Sequence, residues 1–300
     1  MKPKKLQMGD VIGIVSPSDP VTKETSQQLE KGIQVLSDLG FKILRGKHIS
    51  STDPKERAED INTFFADKKV RAIIATQGGD SAEKLLPYID WQIIKKNPKI
   101  FMGISDITVL LNAINCKTGL ITFHGNDICW GFGRDPTEYD KQEFLNVVVR
   151  GTKEIKQNRE RKTIRKGKAK GKLLGGNLRC LLKLADTPYW PDFTDAILIL
   201  EAYKIDEEKC IASFKKLQEK KVFDQIKGVI VGFIYSMQEE TPQSKQMEDL
   251  LLEFTKKYNF PILKVNDFGH NCPNTTLPIG CEIELDADKK TIKFMEDCVE

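Results

Sequence analysis

Histidine is scarce in this chain, with three in 300 residues, at positions 48, 124 and 270. Chemistry that needs an imidazole base has few places to occur. Cysteine is present but unorganised. The seven thiols (116, 129, 180, 210, 272, 281 and 298) are odd in number and scattered, and no C-x-x-C pair occurs. That argues against a disulfide framework and against a thiolate zinc site, and for a reducing compartment, so a cytoplasmic location is expected. No apolar run approaches the roughly 18 residues of a membrane span. The charged N-terminal stretch, Met1 to Asp10, is followed by no apolar core of the secretory kind. The glycine fingerprints G-x-G-x-x-G and G-x-x-x-x-G-K-[ST] are missing too, so nucleotide binding has weak support.

What is there suits a globular chain. Hydrophobic residues make up 40% and charged residues 30%, and the length allows one large domain or two ordinary ones. The formal net charge of +4 is unevenly spread. Between Lys153 and Lys172 ten basic side chains face two acids, a local balance of +8, which leaves the rest of the chain at −4.

The first 150 residues alternate short apolar runs with amphipathic stretches. Strands are expected over 10–16, 41–45, 70–76, 99–103 and 120–123. Helices are expected over 23–39, from the Asp53-Pro54 cap, over 82–88, 106–116 and 136–149. Strict alternation predicts a parallel sheet with helices on its faces. The basic stretch that follows shows no stable periodicity and reads as a linker. The division is therefore an α/β domain over 1–150, a linker over 151–171 and a second α/β domain over 172–300. In the second half, strands are expected from 172, over 195–200, 228–234 and 261–265, with helices over 206–220 and 243–258. A closing hairpin is expected over 281–294, turning at 286–289.

Ligands of open α/β sheets collect at the carboxyl ends of the strands. Ser105, in Gly103-Ile-Ser105-Asp106, lies on a sharp strand-to-helix turn. That is the geometry of a nucleophile elbow, with a helix N-terminus facing any developing oxyanion. A plain helix cap explains the same residues, because Ile107 replaces the last glycine of G-x-S-x-G. The Gly78-Gly79 turn lets backbone approach a ligand closely, or is simply a tight turn. Of the histidines, His48 falls in a polar loop, His124 ends an apolar strand as a satisfied buried residue would, and His270 sits in a loop stiffened by Pro273. A histidine base needs an acceptor to fix its tautomer. Glu201, closing the run 196–200, qualifies, as would any salt-bridge partner.

At these residues the chain resembles the serine LD-carboxypeptidase family, which also includes the microcin C immunity-type peptidases. The resemblance rests on Gly9-Asp-Val-Ile-Gly-Ile-Val-Ser-Pro17, Gly78-Gly79 with Leu85-Leu-Pro-Tyr-Ile-Asp90, and Asn97-Pro-Lys-Ile-Phe-Met-Gly-Ile-Ser-Asp-Ile-Thr108. It continues through Thr118-Gly-Leu-Ile-Thr-Phe-His-Gly125, Leu174-Gly-Gly-Asn-Leu178, Leu200-Glu201 and Gly269-His270-x-x-Pro273-Asn274. It implies a flavodoxin-like parallel-sheet N-terminal domain and a smaller C-terminal α/β domain with a mixed sheet, usually in a homodimer. It implies Ser105 as nucleophile, His270 as general base and Glu201 orienting it. The oxyanion hole would come from backbone N–H groups of Gly78, Gly79 and Asp106, with no metal or cofactor.

The expected activity is a serine-type carboxypeptidase that removes the terminal D-Ala of a murein tetrapeptide. The alternative within the family is cleavage of peptidyl-nucleotide conjugates. The chain departs from the pattern at Gln77, Asp80 and Asn126, which bears on the substrate. Trp130 and Asn177 are candidate substrate contacts, with core packing and a helix cap as the competing roles. From a different class, the basic stretch 153–172 could bind nucleic acid, but it lacks the aromatic interleaving of single-strand binders and reads better as a solvated linker. It could also help hold an anionic substrate at the cleft.

Overall fold

Each apolar run of the first half becomes a strand, and the amphipathic stretches between them pack as helices on the sheet. The computed structural model describes residues 1–300. The strands β1 (Val11–Val15), β2 (Lys42–Arg45), β3 (Val70–Ala75), β4 (Ile100–Gly103) and β5 (Thr122–His124) run parallel in the order β5-β4-β3-β1-β2. The central β4 is buried along its length, whereas the edge strand β2 is largely exposed, as position in a helix-covered sheet requires. Asp53 caps the helix Pro54–Ala66 by accepting from the Lys55 N–H at 2.8 Å. Residues 82–88 form a 3-10 helix in place of the expected α-helix. Pro87 lies inside it, lacking an N–H and disfavouring α geometry at the residue before. A short helix, Trp91–Lys96, follows that the sequence pattern did not announce.

The second half builds a mixed sheet from β6 (Arg161–Arg165), β7 (Lys168–Asn177), β8 (Ile197–Glu201), β9 (Gly228–Phe233) and β10 (Ile262–Gly269). After β11 (Leu277–Ile279), which goes elsewhere, β12 (Glu282–Asp286) and β13 (Thr291–Phe294) complete it. The order is β13-β12-β7-β8-β9-β10-β6, with β7 through β10 parallel and the others antiparallel. The hairpin of β12 and β13 closes over residues 287–290, one position beyond the expected turn.

Three features differ from the sequence pattern. The basic stretch, taken as lacking periodicity, contains β6 and the start of β7. Along β7 buried and exposed positions alternate at first, but lysines and glycines hide the pattern because neither is a strong strand former. The strand charges are answered across the sheet: Lys168 and Lys170 pair with Glu284, and the buried Arg161 pairs with Asp267. Strand β10 runs on to Gly269, four residues past the expected end. Finally, β11 leaves the second half and pairs antiparallel with β5, Leu277 opposite His124, making the first sheet six-stranded.

Candidate active site

Two sets of parallel strands end at a common cleft. From the first sheet come the segments after β3 and β4, and from the second the segments after β8 and β10. The cleft measures about 920 Å³, and Gly78, Gly79, Ser105, Trp130, Tyr203 and His270 are among its lining residues.

Ser105 follows β4 after one residue and adopts φ +64°, a left-handed conformation rare for a side chain bearing a Cβ. It opens the 3-10 turn Ser105–Ile107, which leads into the helix Thr108–Thr118. The turn after β3 comes hard against it. A Cβ on Gly78 would lie 2.6 Å from Ser105 Cβ, 2.8 Å from its Oγ and 3.4 Å from the Asp106 backbone nitrogen. Gly79 has φ +147°, which only glycine adopts readily.

The Asp106 side chain turns away from the cleft and is fully buried. Its Oδ2 accepts from Ser18 Oγ at 2.6 Å and from the Ser81 and Ala82 N–H groups at 2.9 and 2.8 Å. Its Oδ1 accepts from Lys183 Nζ at 2.7 Å. One carboxylate thus ties the serine turn, the glycine turn and the second domain together. Burial opposes the charge on Lys183, but Asp106, Asp80 and Glu83 hold the ammonium above its ordinary range.

His270 begins the loop after β10, and Glu201 closes β8. His270 Nδ1 and Glu201 Oε2 are 2.7 Å apart. Glu201 is fully buried. Burial alone would raise its pKa, but the His270 charge and contacts from His124 and His270 outweigh it and hold the carboxyl far below the usual range. An ionised Glu201 makes Nδ1–H the donor and leaves Nε2 as the ring's other nitrogen. Burial lowers the His270 pKa, yet the Glu201 charge and hydrogen bond, with help from Asp127, leave it raised. The ring stacks on Tyr203, centroids 4.9 Å apart. Its loop is pinned by Asn274, whose Oδ1 accepts from Gly269 N at 2.8 Å and whose N–H donates to Asp140 Oδ1 at 2.7 Å.

The remaining candidates fall out differently. Trp130 lines the cleft, half-exposed, its Nε1 donating to Gln77 Oε1 at 3.1 Å. Asn177 does not reach the cleft. It is buried and caps the helix Leu178–Leu182, accepting from Cys180 N at 3.3 Å. His48 lies outside the cleft beside Glu56. No residue of the basic stretch 153–172 lines the cleft, so the expected help with an anionic substrate has no structural support. Arg134 is the lining side chain of fixed positive charge, set among Asp19, Asp127, Asp135 and Asp140.

Sequence reasoning missed Tyr203, Lys183 and the carboxyl of Asp127. Asp127 accepts from the Trp130 and Gly131 N–H groups, and burial pushes its pKa up to about 6. Tyr203 had only its position two residues after Glu201 to mark it. No cluster of three or more His, Cys, Asp or Glu converges in metal-ligating geometry.

Comparison with known proteins places the chain in a family. A model of the LD-carboxypeptidase N-terminal domain matches residues 12–125, and one of the C-terminal domain matches residues 170–285. The microcin C7 self-immunity protein MccF of Escherichia coli is 31% identical over 97% of this chain and 94% of its own. A probable murein peptide carboxypeptidase of Bacillus subtilis is 30% identical over 97% of this chain and 93% of its own. Solved structures of MccF in the wild-type apo state and in complex with glutamyl sulfamoyl guanosine superpose with TM-scores of 0.91 and 0.90 at 28% identity. Both comparisons cover 100% of this chain and at least 99% of the other.

Proposed function

Because this chain belongs to the LD-carboxypeptidase family of peptidases, we propose that it hydrolyses an amide bond with a Ser105–His270–Glu201 triad. The observation that carries this is one cleft shared by a strained Ser105 on a strand-to-helix turn and by His270, with Glu201 hydrogen-bonded behind the ring.

In the reaction, Ser105 Oγ attacks the amide carbonyl carbon and forms the C–O bond while its proton passes to His270 Nε2. Glu201 holds Nδ1–H and balances the imidazolium. The carbonyl oxygen, now negative, turns toward N–H groups of the Gly78-Gly79 turn and of Asp106. The C–N bond then breaks, and the amine leaves with the proton from His270. Water attacks the acyl-enzyme carbonyl and gives a proton to His270; the ester C–O bond then breaks, Ser105 Oγ takes that proton back, and the acid is released. Each oxyanion donor of this type is worth about 10²–10³ in rate. The step requires no metal or cofactor.

Within this chemistry the substrate is a murein tetrapeptide whose terminal D-Ala is removed, a reading supported by the family match and the Bacillus subtilis relative. A second reading, cleavage of a peptidyl-nucleotide conjugate, is favoured by the half-exposed rings of Trp130 and Tyr203 at the cleft. Rings so placed can stack on a base. A homodimer in the cytoplasm belongs to the same proposal. In the structure itself, no helix is long and apolar enough to cross a membrane. Nucleic acid is no part of the proposal. The basic stretch is built into the second sheet, with Arg161, Lys168 and Lys170 paired to acids.

The deciding experiment incubates the protein with a murein tetrapeptide and with a peptidyl aminoacyl-adenylate analogue and weighs the products. Loss of one alanine from the tetrapeptide is the expected result, and cleavage of the adenylate alone selects the second reading. Ser105→Ala should abolish turnover of whichever substrate is cleaved, with unchanged circular dichroism. Full activity in that variant would remove the serine mechanism.

A further inference from the structure

His124 ends β5 in the first sheet, fully buried, and neither of its ring nitrogens has a hydrogen-bond partner. The sequence pattern suggested a satisfied core histidine, and the structure contradicts that. Buried polar atoms are nearly always partnered, so two ring nitrogens without a protein partner call for an explanation.

Glu201 supplies it. Its Oε2 is taken by His270, while Oε1 is buried and also unpartnered. His124 Nε2 lies 3.8 Å from that Oε1. The gap is longer than a hydrogen bond and too short for an intervening water, so the two orphans face each other directly. Packing holds the ring there. Phe268 meets it edge-on with centroids 6.0 Å apart, and Leu277 of β11 lies opposite it in the sheet. A Cβ on Gly176 would come within 3.2 Å of the ring carbon Cδ2, so β7 of the second sheet is close as well.

From this arrangement we infer that His124 is a positioning residue for the reaction, presenting its Nε2–H to Glu201 Oε1 so that the carboxylate keeps its orientation and charge behind His270. The inference rests on the triad described above. His124 touches no substrate and transfers no proton. Its contribution appears when His270 becomes charged. At that point Glu201 must stay ionised while fully buried, and a second fixed donor on Oε1 stabilises that state, closing the 3.8 Å gap by a small shift of the carboxylate. Neither sheet alone could build the device, since Glu201 comes from the second and His124 from the first.

The test uses the full chain with two substitutions. His124→Phe keeps a ring of similar volume and removes the donor. His124→Gln places an amide N–H near the position of Nε2. On the cleaved substrate, His124→Phe should lower kcat about 10- to 100-fold, the size of effect that partners behind a reacting group have. KM should stay within about twofold, because substrate binding is untouched, and His124→Gln should recover most of the rate. An unchanged kcat in folded His124→Phe overturns the inference, as does a folded His124→Gln that is as slow as the phenylalanine variant. If His124→Phe does not fold, ring-nitrogen chemical shifts of the wild-type protein decide. Nε2 must carry the proton, and an unprotonated Nε2 overturns the inference. Ser105→Ala separates the two levels. If it is active, the triad reading has failed. If it is inactive while His124→Phe is fully active, only the role of His124 has failed.

Discussion

In the proposed reaction His270 must be neutral to take a proton from Ser105, and its surroundings work against neutrality. Burial of the ring favours the neutral form, but the Glu201 carboxylate and its hydrogen bond outweigh burial and raise the pKa. A base with a raised pKa is protonated, hence idle, over a wider acid range. kcat/KM should therefore rise with pH on an acid limb lying above the roughly 6.5 of an unperturbed histidine. Glu201→Gln should move that limb to lower pH and still lower the maximum rate, because nothing then balances the imidazolium. A pH–rate profile of both proteins checks this, and a wild-type limb at or below the unperturbed value would contradict it. At this scale much could be read directly. Three histidines and a carboxylate closing an apolar run made a short list, from which the family resemblance selected His270 and Glu201 as the expected base and orienter. That His124 also faces Glu201 could not be read, because residues 124 and 201 are brought together only by packing.

The element that matters most is the turn after β3. Its first glycine has ordinary backbone angles, so alanine there suffers no φ strain. The difficulty is space, since a Cβ would stand 2.6 Å from Ser105 Cβ. Gly78→Ala should therefore fold and lose about 10²-fold or more in kcat, as displacement of an oxyanion donor does. Gly79→Ala adds the cost of φ +147° and a clash with Asp19, so it should lose stability as well. Thermal melts beside kinetics separate the two, and a Gly78→Ala protein with wild-type kcat would mean that the turn does not serve the oxyanion. Apolar runs and glycine punctuation announced strands and this turn well. They failed over 161–171, where basic residues are interspersed with small or polar ones and the strands are held by pairing with β10 and β12, from which Asp267 and Glu284 answer their charges. A charge met by a distant partner leaves no local signature.

As a whole molecule, the chain is interlocked. β11 leaves the second half to complete the first sheet, Lys183 reaches from one half to the buried Asp106 of the other, and the N-terminal Lys5 N–H donates to the Glu300 carbonyl at 2.8 Å. Two bodies joined this way should unfold together. Urea denaturation followed by tryptophan fluorescence and by far-ultraviolet circular dichroism should give coincident single transitions. Two separated steps would show that the halves are independent. The net charge of +4 also takes on meaning at this scale. The +8 stretch supplies structural strands of the second sheet, and none of its residues lines the cleft. The sequence by itself determined what depends on local order: alternating apolar and amphipathic segments, hence parallel α/β architecture, with a serine and a glutamate each placed at a strand's end and a histidine in the loop after another. Only the tertiary structure decided which ends meet. That depends on strand order, on where β11 inserts and on how far β10 runs, all set by packing between segments distant in sequence, as β5 is from β11, about which neighbouring residues carry no information.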